Sequence, residues 1–294
     1  MDKTNTISYK VIDGSRVLLD TAEFIEISEA RYKNQIKSIV SETINNKHRI
    51  IRLAGPSGSG KTTSALKIVE EILNRGIPAY YLSMDNWYKT MPVNELPLTD
   101  DGDPDYESPE LLDIDGFKQD MHDLILGKTI NLREFDFINR VSNKSDNTLE
   151  IQSNAILVIE GLHAINPIFD VDESNIKVYV EPSNIKLNDN TILTSKELRL
   201  FRRIHRDKVD RGMSLEATIQ KCKSVDKGQD KYIAPYIRNP EIFKVDTLIY
   251  YEIYIHKHEL DGLIDSEALR TITGANISSK YIPEDSVLRE FYKQ

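Results

Sequence analysis

Cysteine is almost missing from this chain. Of 294 residues one is cysteine, Cys222, so no internal disulfide can form, and a lone thiol fits a reducing compartment. Long apolar runs are missing too. None approaches the ~18 residues needed to cross a bilayer, and the opening Met1-Asp2-Lys3-Thr4-Asn5-Thr6 lacks the charged-then-apolar order of a secretion signal. Positive charge is in deficit. The chain has 38 Lys and Arg against 47 Asp and Glu, a net charge of −9. That balance disfavours nucleic acid and anionic membrane as partners unless basic residues are locally concentrated. There is no internal repeat and no low-complexity tract. Hydrophobic residues at 39% and charged residues at 29% exclude a disordered or collagen-like chain. The expectation is a cytoplasmic globular protein with one large α/β domain or two smaller ones.

Hydrophobic periodicity places the elements. Ile7, Tyr9 and Val11, then Asp13-Gly14, then Val17 and Leu19 predict a small hairpin over residues 1–20. A helix follows to about Asn46, with Tyr32, Ile36, Ile39, Val40 and Ile44 on one face and Thr21 or Ser28 as its cap. Residues 50–54 read as a buried strand ending in glycines. Thr62 to Arg75 reads as a helix stopped by Gly76. Further strands are expected at 79–82, 155–159, 177–180 and 245–251, with helices at 114–126 and 193–211. Residues 90–115 read as a Pro- and Gly-rich loop, and the stretch from Asp265 shows no clear pattern. Strands alternating with helices predict a mainly parallel sheet covered on both faces.

The sharpest signal is Gly55-Pro56-Ser57-Gly58-Ser59-Gly60-Lys61-Thr62, which matches G-x-x-x-x-G-K-[ST] at every fixed position. Glycines let the backbone curl so that successive N–H groups face a phosphate. The helix that follows turns its positive end toward the same anion. Lys61 adds a full charge for the β and γ phosphates, and the Thr62 hydroxyl is suited to Mg²⁺. Gly55, Ser57, Gly58, Ser59, Gly60, Lys61, Thr62 and Thr63 are therefore the expected ATP-binding residues.

Three further features fit phosphoryl transfer. Glu160 ends the most apolar strand and can help hold Mg²⁺. Asp85 lies just past the second strand, where a carboxylate can deprotonate an attacking alcohol. Arg199, Arg202, Arg203 and Arg206 recur at helical spacing, with Arg211 closing the segment. Such a basic helix suits a lid that carries guanidiniums to phosphoryl oxygens. Asn143-Lys144-Ser145-Asp146 (N-K-x-D) and Asp113-Ile114-Asp115-Gly116 (D-x-x-G) have the form of GTP-switch motifs. Neither follows an apolar strand, as nucleotide-contacting loops of an open α/β sheet do.

Taken in order, GPSGSGKTT at 55–63, SMDNWYK at 83–89, ILVIEGLHAINP at 156–167, RRIHRDKVDRG at 202–212 and KYIAPYI at 231–237 resemble the phosphoribulokinase/uridine kinase family of P-loop kinases. DPDYESPELLDID at 103–115 is similar to a bacterial uridine/nucleoside kinase-like subgroup. The resemblance implies a P-loop NTPase three-layer α/β sandwich with a basic helical lid at about 193–212. It sets a kinase domain at 48–260, an N-terminal hairpin-and-helix appendage at 1–47 and a C-terminal extension at 261–294. It implies Asp85 as acid-base, Lys61 as the phosphate lysine, Thr62 and Glu160 around Mg²⁺, and Arg203, Arg206 and Arg211 on the phosphates. It places Tyr88, Asp105 and the 135–140 stretch near the acceptor, and His163 stands at the same sheet edge. Typical uridine–cytidine kinases show Tyr-Asp-Phe and then a His three residues on. This chain has Phe135-Asp136-Phe137 and Arg140. Two partners for a pyrimidine edge are thereby lost.

The expected activity is ATP- and Mg²⁺-dependent phosphorylation of a hydroxyl on a small metabolite, with a nucleoside 5′-hydroxyl, uridine first, as acceptor. The alternatives are a kinase for a non-nucleoside alcohol such as a sugar phosphate, and a nucleotide-binding regulator without turnover. No nucleic-acid or membrane partner is expected, and a homo-oligomer is left open.

Overall fold

The computed structural model describes residues 21–171, 174–187, 190–273 and 277–293, so the hairpin expected over residues 1–20 lies outside the described residues. At the centre is a five-stranded parallel sheet. Its strands are β1 (Ile50–Ala54), β2 (Ala79–Ser83), β5 (Ile156–Glu160), β6 (Asn175–Glu181) and β9 (Phe243–Asp246), in the order β2-β5-β1-β6-β9. A separate antiparallel hairpin joins β3 (Ile130–Asp136) to β4 (Val141–Leu149), and Ile185–Lys186 (β7) pairs with Ile192–Leu193 (β8).

Both sheet faces are covered, because alternate residues of each central strand feed different cores. Ile51, Leu53 and Val158 meet the helices α1 (Thr21–Asn45) and α2 (Lys61–Asn74) in one core. Ile50, Leu157 and Ile159 join Trp87 and the helix α3 (Ile114–Ile125) in the other. The apolar stripe of α1, from Tyr32 to Val40, is buried in the first core, and the Tyr32 hydroxyl pairs with Ser64 Oγ on α2 at 2.8 Å. Gly76 adopts φ 76 just past α2, the left-handed turn its position demanded.

The chain departs from the expected elements at several points, the short β7–β8 pair among them. The strand expected over 245–251 ends at Asp246, and the chain turns at Thr247 into α6 (Glu252–Leu260). The hairpin over 130–149 was not foreseen. Neither was α5 (Leu215–Tyr232), which follows α4 (Ser195–Arg211). The patternless stretch from Asp265 holds the short helix α7 (Glu267–Thr271), and its later part returns Val287, Leu288 and Phe291 to the first core. Neither GTP-switch motif sits in a nucleotide loop. Asp113 caps α3 through Gly116 N–H (3.0 Å), and Asn143 lies within β4. No helix among the described residues is long and apolar enough to cross a membrane.

Three of the four spaced arginines, Arg199, Arg202 and Arg203, are buried, and two of them are tied into the fold by acidic partners. Arg202 is wholly buried and forks onto both carboxylate oxygens of Glu252, also wholly buried, at 2.8 and 2.7 Å. Burial works against the charge of Glu252, but Arg202 outweighs it and holds the carboxyl below its usual range. Arg199 bonds Asp226 at 2.8 Å and Gln229 at 2.7 Å on α5. Replacing Arg202 by Met leaves Glu252 without its counter-charge and should cost about 3–5 kcal/mol of unfolding free energy. Urea titration at pH 7 measures this, and a loss below about 1 kcal/mol would contradict the pairing.

Candidate active site

The loop between β1 and α2 is shaped from behind. Gly58 and Gly60 take φ values of 85 and 84, open to glycine at little cost. Its carbonyls are drawn toward α4 and the turn after β9. Arg199 Nη1 donates to Ser57 O (3.4 Å), Arg202 Nη1 to Gly58 O (3.3 Å) and Ser59 O (3.5 Å), and Thr247 Oγ1 to Ser59 O (2.7 Å). Ser59 N–H closes a turn onto Pro56 O at 3.1 Å, and with the carbonyls held on that side the other N–H groups of the loop are left for an anion. Ser64 N–H bonds back to Gly60 O at 3.0 Å, so the donors of the first turn, Lys61 to Thr63, have no partner within their own helix.

Beside the loop stand two carboxyls that the sheet register sets. Glu160, at the end of β5, lies level with Leu53 of β1 and Ser83 of β2. Its Oε1 accepts from Tyr81 (2.9 Å) and Ser83 (3.0 Å), while its Oε2 is buried with no partner among the described residues. Asp85 follows β2 in a short 3₁₀ turn. Burial and then the Glu160 charge push its carboxyl up to about 6, although Lys61 pulls the other way. Burial works against the Lys61 ammonium, but Glu160, Asp85 and Glu290 together raise its pKa above the lysine value. The orphaned Glu160 Oε2 is a hard oxygen donor of the kind that Mg²⁺ takes.

A third carboxyl escaped the sequence reading. Glu107 is within electrostatic reach of Arg203, Lys61 and Asp85, and burial raises its pKa to about 7. Asp105, the residue expected there, is instead tied to Tyr232 Oη (2.6 Å) and Lys231 (3.6 Å) and accepts from Glu107 N–H at 3.1 Å. It braces the loop that presents Glu107. His163 supports the same loop. Its Nε2 donates to Glu107 O at 2.9 Å, and burial lowers its pKa to about 4, so the ring is neutral near pH 7. Tyr88 packs against Phe135 (5.2 Å between rings) and Phe137 (5.7 Å), walling this side. Arg140 takes φ 55, lies 5.2 Å over the Tyr106 ring, and leaves its buried Nε without a partner.

Arg203 and Arg206 of α4 lie against the loop, Arg203 beside Gly58 and Arg206 at Ser57. Arg203 is buried, with Nε and Nη1 unpartnered and Nη2 3.7 Å from Asp207. Arg206 reaches Asp207 at 2.9 Å and Ser57 Oγ at 3.4 Å, and its charge is felt by Lys61. Arg211 lies 3.4 Å from Asp207 and is half-exposed. One buried aspartate thus gathers three guanidiniums, which leaves an excess of positive charge beside the phosphate loop.

A parallel sheet with an anion cradle at its switch point, a lysine in it and carboxyls on the adjacent strand ends defines a nucleotide-dependent phosphotransferase. Residues 50–245 match the model of the phosphoribulokinase/uridine kinase family, and the chain belongs to that family. A uridine kinase of Staphylococcus aureus (strain JH9) is 28% identical over 187 residues, which cover 63% of this chain and 82% of that protein. Among solved structures, a candidate fructose transport system kinase from Silicibacter sp. TM1040 superposes with a TM-score of 0.52 at 18% identity. The match covers 71% of this chain and 98% of that one, and it is a likeness of fold. The family is one of P-loop kinases, which use ATP with Mg²⁺ and act on small molecules.

The raised pKa of Glu107 has a stability consequence. In the unfolded chain the carboxyl titrates near 4.5, and in the folded chain near 7. The folded state therefore binds the extra proton between those values, and stability falls as pH rises through that window. Glu107→Gln should add on the order of 1–3 kcal/mol at pH 8 and nothing at pH 4. Thermal unfolding at the two pH values tests this, and an equal effect at both would contradict it.

Proposed function

We propose that this kinase transfers the γ-phosphoryl group of ATP to a hydroxyl of a small metabolite, with a nucleoside 5′-hydroxyl, uridine first, as acceptor. The observation that carries the reading is Asp85, a carboxyl raised to about 6 between Lys61 and Glu160 at the mouth of the phosphate loop. A base of that pKa is ionised at physiological pH and still able to take a proton. In this mechanism the loop N–H groups and Lys61 bind the triphosphate. Thr62 and Glu160 would hold Mg²⁺, which when bound would neutralise phosphoryl charge. Asp85 orients the acceptor hydroxyl and accepts its proton as the oxygen attacks. Arg203 and Arg206 stabilise charge on the transferring group, and Arg211 closes over it from the end of α4. Glu107 accepts from a further acceptor hydroxyl, and Tyr88 bounds the pocket.

A second acceptor class is favoured by one observation. Phe135 offers no hydroxyl, and Arg140, within electrostatic reach of Tyr88, leaves an unpartnered Nε–H beside Tyr106. An acceptor with an anionic or carbonyl group there, such as a sugar phosphate, satisfies that donor where a pyrimidine edge loses its usual partners.

Asp85→Asn should lower turnover at least a hundredfold, on the order of a lost general base, while ATP binding by calorimetry is kept. The acid limb of the wild-type rate should bend near pH 6, an apparent value shared with neighbouring Glu107. Near-normal turnover in the variant removes Asp85 from the mechanism. In a screen of metabolites, ADP release stimulated by uridine supports the nucleoside acceptor. Stimulation only by phosphorylated sugars supports the second class, and binding without turnover supports a regulator.

A further inference from the structure

The segment from Pro283 to Lys293 runs along the outside of the phosphate loop and ends on the lid helix. Val287, Leu288 and Phe291 are buried. The Phe291 ring lies 5.2 Å from the Arg202 guanidinium, Tyr292 Oη pairs with His256 Nδ1 at 2.8 Å, and Lys293 meets Asp210 at 2.8 Å. A Cβ placed on Gly60 would come within 2.7 Å of Val287 Cγ2, so the segment touches the loop itself.

From this segment Glu290 reaches the start of α2. Its Oε2 accepts from Thr63 N–H at 3.2 Å and from Thr63 Oγ1 at 2.8 Å. Those donors belong to the first turn of the helix, whose free N–H groups serve the nucleotide in this kind of loop. Lys61 is the residue that reaches the β and γ phosphates. The donors two residues further into the helix fall to the phosphate nearer the nucleoside. A carboxylate resembles that phosphate in charge and in accepting geometry, and two ligands cannot share the donors.

We propose that Glu290 occupies the seat of the nucleotide's α-phosphate, so that the segment 283–293 is a built-in competitor that moves aside when a nucleotide binds. The proposal rests on the nucleotide seat described above and is independent of the acceptor. The closed arrangement lowers apparent affinity by the fraction of molecules that are open. It also couples the seat to the lid helix, because the segment that carries Glu290 is tied to Arg202 and Asp210 of α4.

The test uses the full chain, with ADP and with inorganic tripolyphosphate as probes, in calorimetry on wild type, Glu290→Gln and Glu290→Ala. Both variants should bind both probes about 3- to 10-fold more tightly than wild type. In wild type, ADP should speed hydrogen exchange of residues 283–293. Melting temperatures within a few degrees of wild type would show that both variants are folded. Unchanged or weaker binding in the variants, or ADP-induced protection of the segment, overturns the competitor and makes Glu290 a support of Thr63. Failure of all three proteins to bind either probe overturns the nucleotide seat and the competitor with it, an outcome distinct from equal binding by all three.

Discussion

The site depends on which way a short stretch of backbone points. Ser57, Gly58 and Ser59 have their carbonyls engaged from α4 and the turn after β9, chiefly through Arg202 and Thr247. An anion cradle needs that orientation, since each peptide can offer only its N–H or its C=O to one side. Arg202 can remain charged in the core because Glu252 meets it with a two-point contact and Thr247 O takes a further N–H at 2.7 Å. Removing the phosphate ligand therefore need not collapse the loop, because the fold rather than the ligand supplies the restraint.

On that frame the charges are arranged in opposition. Lys61, Arg203 and Arg206 bring positive charge to the loop, while Asp85, Glu107 and Glu160 set negative charge within electrostatic reach of Lys61 or Arg203. Burial raises the Asp85 and Glu107 carboxyls, neighbouring carboxylates add to it, and the cations moderate the effect without abolishing it. Asp85 is left at a value useful for proton transfer, and Glu160 is left with an unused oxygen beside the loop. The aromatic wall of Tyr88, Phe135 and Phe137 carries no charge, so in the proposed function polar selection of the acceptor is assigned to Glu107 and Arg140.

The parts legible in the sequence are those where one chemistry demands one residue type at a fixed spacing. The G-x-x-x-x-G-K-[ST] loop was such a case. Glu160 and Asp85 could be located because buried parallel strands are continuous apolar runs with visible ends. The hairpin over 130–149 gave no signal, since β4 is rich in Asn, Ser and Asp and lies away from the core. Helical spacing put four arginines on α4 but could not show that α5 would claim Arg199 and Glu252 of α6 would claim Arg202. Glu107 was hidden in a loop without periodicity, one turn from the more conspicuous Asp105. Glu290 lies 227 residues from Thr63, and no local pattern announces a contact of that range.

The central claim is that this site moves a phosphoryl group from a nucleotide to an alcohol. Phosphorus NMR of the protein with MgATP and a defined mixture of nucleosides and sugar phosphates tests it most directly. The account predicts that the γ-phosphorus resonance of ATP declines as a new phosphate-ester resonance of matching area grows. Growth of inorganic phosphate alone, or an unchanged ATP spectrum with every acceptor, would contradict it.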